Sequence, residues 1–199
     1  MTHQVHAFEP PERFVAGTVG PPGDRMFFLQ ARGGGRVVSV ALEKVQVSLL
    51  AEKLEELLAE AQRRFGVDVP EAPTSQSDND PLETPVDEEF RVGTLGLAFD
   101  VDTATVVIEA IAAGEQDPEA DADSDDDTVA DLLDDGDEVD DEVDAGLDRL
   151  RVRLTPAAAR GFIDRARRVV AAGRPPCPLC GQPLDPRGHL CPRHNGYHR

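Results

Sequence analysis

Negative charge in this chain is concentrated in one stretch, which separates the residues that can build a core from those that cannot. The 199 residues carry a formal net charge of −19. The stretch from Glu115 to Asp144 alone contains 17 Asp and Glu residues and no Lys or Arg. Its few apolar side chains cannot offset the conformational entropy that folding removes. We therefore predict a disordered acidic insertion at residues 115–145 and expect the core to come from the remainder.

The chain before the insertion is typical of strands followed by one helix. Short β-rich runs at residues 14–20, 25–32 and 36–42 are separated by Gly and Pro turns, which predicts an antiparallel meander. A helix follows over residues 45–65, because apolar residues recur at helical spacing and Gly66 provides a stop. The apolar stripe consists of Leu50, Leu54, Leu57, Leu58 and Ala61.

A second series of the same kind follows a polar, Pro-rich segment at residues 67–88, which we interpret as a flexible linker. Strands are predicted at 90–99, 104–111 and 147–154, and a last helix begins after Thr155 and ends near Gly173. Similar sequences, Val-Ala-Gly-Thr-Val-Gly and Arg-Val-Gly-Thr-Leu-Gly, open the two series. The prediction is an α+β fold with two βββα-like halves around one core, in a domain of residues 1–173; the alternative is that the similarity is coincidental.

The last part of the chain, residues 174–199, contains all three cysteines and three of the five histidines. Cys177 and Cys180 have Cys-x-x-Cys spacing, and a second Cys/His group follows about ten residues later. Thiolate and imidazole are the ligands that zinc prefers, so we predict a small zinc-ribbon-like tail that binds Zn²⁺ through Cys177, Cys180 and Cys191. The spacing leaves the fourth ligand open between His189 and His194, with His198 a weaker candidate.

A structural zinc is favoured over a catalytic one, since four protein ligands leave no position for a water molecule. A catalytic site would require an open position and a nearby acid or base, and Asp185 is the only carboxylate in the tail. A redox role for Cys177 and Cys180 is disfavoured, because the strand-to-helix context that activates such a thiol is missing. The chain also lacks the nucleophile-elbow, P-loop, Rossmann and His-Glu-x-x-His motifs. We therefore assign no catalytic residue.

The distribution of charge bears on which partners the protein binds, and the N-terminal residues bear on where in the cell it is located. From residue 149 to the end there are 11 arginines against two acids, which raises nucleic-acid binding as a hypothesis. The overall acidity and the scarcity of aromatic residues disfavour it, so a protein partner is expected. No apolar run is long enough to cross a membrane, and the N-terminus has no signal-peptide pattern. We expect a cytoplasmic protein, and the oligomeric state stays open.

Three segments carry a family resemblance: the opening from His3 to Gly20, the Phe-Phe-Leu-Gln-Ala-Arg run that ends at Arg32, and the ending Cys-Pro-Leu-Cys-Gly…Gly-His-Leu-Cys-Pro-Arg…Asn-Gly-Tyr197. On these, the chain resembles an uncharacterised actinobacterial family, domain of unknown function 3090, over nearly its whole length apart from the acidic insertion. The resemblance implies a cytoplasmic protein with no assigned reaction. Its Gly-His-x-Cys-Pro element places His189 ahead of His194 as the fourth zinc ligand. The function expected from all of these features is a non-catalytic zinc-binding protein that acts as a binding or adaptor module, with a metal-dependent hydrolase and a nucleic-acid-binding protein as alternatives.

Overall fold

A computed structural model describes residues 3–70, 78–114, 146–173, 177–180 and 191. Within these residues the fold is mixed α+β, with a seven-stranded sheet and two helices. The predicted acidic insertion at residues 115–145 lies outside the described residues, as does most of the tail. No helix in the described ranges is long and apolar enough to cross a membrane.

The elements lie close to their predicted positions, and one further strand is present near the N-terminus. Thr155 caps the second helix by accepting a hydrogen bond from the Ala158 N–H, and Gly66 ends the first helix in the left-handed conformation with φ of 65°. In chain order, the elements are β1 (Val5–Phe8), β2 (Arg13–Val19), β3 (Met26–Gly33), β4 (Arg36–Leu42), α1 (Lys44–Phe65), β5 (Glu88–Asp100), β6 (Thr105–Ala112), β7 (Arg149–Leu154) and α2 (Pro156–Ala171).

The strand order across the sheet is β1-β7-β6-β5-β4-β3-β2. Neighbours are antiparallel except for two pairs, β4 with β5 and β1 with β7. The β4–β5 pair is parallel because α1 carries the chain back between the two strands. It is also short, since only Ser39 with Glu88 and Ala41 with Arg91 are in register. The two predicted halves therefore share one sheet, and their equivalence as βββα units stays a prediction.

Both helices cover one face of the sheet, which we call the helix face. Leu54 and Leu58 of α1 and Ile163 of α2 have no exposed surface. Phe162 stacks on Phe14 of β2, with ring centroids 4.8 Å apart. Burying a side chain of this size contributes about 1.5–3 kcal/mol, so this layer supplies most of the stability of the fold.

The opposite, outer face differs between the two ends of the sheet. On β2, β3 and β4 it has an apolar patch of Val15, Phe28 and Ala41, and residues 78–87 pack against it although the sequence suggested a linker there. Strand β3 is consequently buried on both faces, which explains why its apolar residues Phe27, Phe28 and Leu29 do not alternate with polar ones. On β6 and β7 the outer face is charged, with Arg149 and Arg151 paired to Glu109.

Candidate metal centre

A hydrogen bond joins the C-terminal end of α2, which precedes the cysteine tail, to the turn between β2 and β3. Helix α2 ends at Ala171, and the next residue, Ala172, offers its carbonyl oxygen to the guanidinium of Arg25. Arg25 lies at the turn between β2 and β3. A cation that binds the free carbonyls at the C-terminal end of a helix is favoured by the helix dipole. This contact fixes the end of α2 only a few residues before Cys177.

The three cysteines come together, as their spacing predicted. The Sγ atoms of Cys177, Cys180 and Cys191 all lie within 4.8 Å of one another. Those of Cys177 and Cys191 are 3.8 Å apart, and none of the three forms a disulfide. Zinc–sulfur bonds of 2.3 Å in a tetrahedron place thiolates about 3.8 Å apart. The Cys177–Cys191 separation is therefore the one that a shared tetrahedral ion requires, and it is too long for a covalent bond between the sulfurs.

Cys177 has the surroundings of a metal-binding thiolate. The backbone N–H groups of Cys180 and Leu179 donate to its sulfur, and these bonds lower the pKa of Cys177 from 9.0 to about 6. The thiols of Cys180 and Cys191 act in the same direction, against the opposing effect of burial. Because the thiolate is the form that binds metal, a lowered pKa means that fewer protons must be displaced when an ion enters.

Two of the three cysteines are buried, whereas thiols that merely lie on a protein surface would be exposed. Cys177 and Cys191 are 6 % and 7 % exposed, and Cys180 is partly buried. A buried thiolate is costly unless a counter-charge and hydrogen bonds compensate it. The two N–H donors supply part of that compensation, and a divalent ion at the centre of the three sulfurs would supply the rest. The cluster can hold a metal ion.

The remaining candidate residues of the tail are not placed. His189, His194, His198 and Asp185 all lie outside the described residues. The choice of fourth ligand between His189 and His194 therefore stays a prediction, and so does the position of Asp185.

The backbone donors at Leu179 and Cys180 were not part of the sequence prediction. Their signal was available, because a Pro after the first cysteine favours the tight turn that aims the next two N–H groups back at its sulfur. Residues 178–180 form this turn. The side chain of Leu179 itself points outward and is 48 % exposed.

The basic end that suggested nucleic-acid binding includes the arginines of α2, and these form hydrogen bonds or ion pairs with other residues of the chain. Arg160 and Arg167 both contact the carboxylate of Glu55 on α1 and lower its pKa. Arg165 is 6 % exposed and contacts Asp78. Guanidinium groups held in this way are less available to phosphate than free ones.

Comparisons with known proteins identify the family of this chain, and that family has no assigned function. No curated protein and no solved structure matches the chain. One family model does match, that of a protein of unknown function, DUF3090, and the match runs over residues 6–191. It begins within β1 and ends on the third cysteine of the cluster. Because the model spans most of the sequence, the chain belongs to the DUF3090 family.

Proposed function

We propose that this protein is a non-catalytic zinc-binding protein and that it acts as a binding or adaptor module. The observation that carries the proposal is the meeting of Cys177, Cys180 and Cys191 at distances suited to one ion. Zinc is the metal that best suits a thiolate-rich tetrahedral site. A thiolate site is stable where thiols stay reduced, which supports a cytoplasmic location.

We propose His189 as the fourth ligand, with His194 as the alternative. A site with three cysteines and one histidine is closed, so the ion would hold the tail in shape rather than activate water. A segment of this length has almost no core of its own, and metal binding would supply its folding free energy. The folded tail would then be a small rigid surface at the end of α2, suited to contact a protein partner.

The metal content of purified protein tests this proposal. Elemental analysis after purification without chelators should give one zinc per chain, and His189→Ala should lose it or bind it at least tenfold more weakly. His194→Ala is the competing variant, and His198→Ala is the matched control in the same tail. Loss in His194→Ala alone would move the fourth ligand to His194.

Two other results would overturn the proposal. A parent protein without metal would remove the zinc site. Full zinc content in both histidine variants, together with a water-exchangeable cobalt spectrum after replacement of the zinc, would indicate an open coordination position. That position would favour the metal-dependent hydrolase instead.

A further inference from the structure

The segment of residues 78–87, which we call the strap, lies in a groove on the outer face of β2, β3 and β4. Leu82 is its main apolar anchor and is 8 % exposed. It packs with Val15, Phe28 and Ala41. Gly17 makes room for it, since a Cβ atom there would lie 2.5 Å from the Leu82 side chain. The groove is therefore shaped to hold a leucine at this point.

The body of the protein contacts the strap largely through main-chain atoms. The side-chain amide of Gln30 donates to the Glu83 carbonyl at 3.0 Å and accepts from the Glu83 N–H at 2.8 Å. Arg165 donates to the carbonyls of Asp78 and Asp80, both at 2.7 Å. Main-chain contacts of this kind recognise an extended peptide with little regard to most of its side chains.

Charge supplies the specificity that the main-chain contacts lack. Arg13 makes a two-bond contact with the Asp78 carboxylate at 2.7 and 2.9 Å, and Arg165 reaches the same carboxylate at 2.7 Å. Arg32 pairs with Glu83 at 2.7 Å. The groove thus presents guanidinium groups to an acidic ligand, in the planar geometry that suits carboxylates.

The buried guanidinium of Arg165 is bonded mainly to the strap. Its side chain is buried, and desolvation lowers its pKa. Among the described residues, its one hydrogen bond outside the strap goes to the Ala16 carbonyl at 2.8 Å, and the others go to strap residues. If the strap left, the guanidinium would open to solvent and exchange these acceptors for water. Another acidic peptide could supply the same acceptors.

We propose that this groove is a peptide-binding site that the strap occupies in cis. Its partner in trans is an extended acidic segment of another protein with the pattern of the strap, an Asp followed two residues later by Asp-Pro-Leu-Glu. The proposal names the partner class for the binding role proposed above, and it does not depend on the zinc site. An open cleft of about 580 Å³ runs beside the strap and is lined by Glu12, Arg13, Arg32 and the strap itself. An incoming chain that displaces the strap would meet the same guanidinium groups there, with Glu12 paired to Arg32.

Fluorescence anisotropy with a labelled synthetic peptide of residues 78–87 tests the proposal in the full-length protein. The intact strap competes at a high effective concentration, so the parent protein should bind the peptide weakly. Leu82→Ala weakens the strap, and we expect it to bind at least tenfold more tightly than the parent. Val45→Ala is the control, because it shortens an exposed apolar side chain away from both proposed sites and should bind as the parent does. A peptide with the same residues in scrambled order measures charge attraction alone.

A second variant covers the case in which Leu82→Ala does not fold. Asp78→Asn leaves the apolar anchor in place and weakens the side-chain contacts of Asp78 with Arg13, Arg165 and the Asp80 N–H, and an affinity gain of at least threefold is expected. If the folded variants bind the strap peptide no better than the scrambled one, the groove is only a packing surface and the proposal is wrong. Zinc content measured on the same samples reports on the metal site separately, so either idea can fail without the other.

Discussion

The helix face of the sheet and the cysteine tail are held together by different interactions. On the helix face, many side chains such as Leu54, Leu58 and Ile163 are fully buried, and each contributes a share of the stability. In the described part of the tail, three sulfurs meet at one point and could hold one metal ion. The first arrangement tolerates the loss of one member and weakens gradually, whereas the metal site that we propose for the second would depend on every ligand.

The largest expected effect comes from removing one sulfur. Cys177→Ala should lower zinc affinity by at least a hundredfold, because it removes a proposed ligand and also the acceptor of two N–H groups. The midpoint of thermal unfolding of the body should change by less than about 2 °C, since the helix face is untouched. Elemental analysis and calorimetry measure the two effects. A large fall in the unfolding temperature would contradict the separation between body and tail.

The reverse experiment removes a side chain from the helix face. Leu58→Ala should lower the free energy of unfolding by about 2–5 kcal/mol, because it leaves a cavity at a position with no exposed surface. Zinc content should stay at the parent value. Urea unfolding followed by circular dichroism measures the first effect, and Val45→Ala, at an exposed position of the same helix, is the control. Loss of zinc in the folded Leu58→Ala protein would show that the tail depends on the body.

Asp78→Asn tests a third kind of interaction, the charged contacts that hold the strap. The hydrogen bond from Arg13 lowers the pKa of Asp78, and the charge of Arg165 adds to this effect. A lowered pKa stabilises the fold above the ordinary Asp value of about 3.9, and this contribution is lost as the pH falls through the lower folded value. The variant should lose about 1–2 kcal/mol of unfolding free energy at pH 7.

The difference between Asp78→Asn and the parent should begin to shrink as the pH falls below about 4, where the unfolded parent takes up a proton at Asp78, and should vanish below the lowered pKa of the folded state. Urea unfolding at several pH values provides the test. A difference that does not change with pH would assign the loss to packing and not to charge.

The smallest effect is expected at the exposed ion pairs between the helices. Glu55→Gln removes the shared partner of Arg160 and Arg167, and surface pairs of this kind contribute about 0.2–1 kcal/mol. The loss should fall further in 1 M salt, which screens exposed charges. Thermal unfolding at two salt concentrations measures it. A loss above 2 kcal/mol would show that these pairs matter as much as a buried leucine.

Local patterns predicted most of the elements, because apolar spacing and turn residues act within a few positions. The apolar stripe through Leu50, Leu54 and Leu58 predicted α1, and the pair Thr155 and Pro156 predicted the start of α2. Strand β1 was missed because four residues are too few to show a period. Its parallel pairing with β7 depends on residues far away in the chain.

The two candidate sites differ in how far the sequence reveals them. The cysteine cluster was predictable, since metal chemistry restricts both residue type and spacing. The strap was not, because its acidic and Pro-rich composition is also that of a linker. Its order comes from Arg13, Gln30 and Arg165, which lie 53 or more positions away along the chain from the residues they contact. Single-sequence patterns do not show which distant arginine meets which carbonyl.

The order of the strands also bears on how the chain is made by the ribosome. Strand β1 is among the first elements to emerge, yet it pairs with β7, which is completed at Leu154. Strand β6, the other neighbour of β7, is already complete at Ala112. Strands β1 and β6 therefore lack this partner during synthesis until residues 149–154 have appeared. For this interval a nascent chain exposes unpaired strands, so chaperone binding before β7 emerges should decide how much protein is recovered.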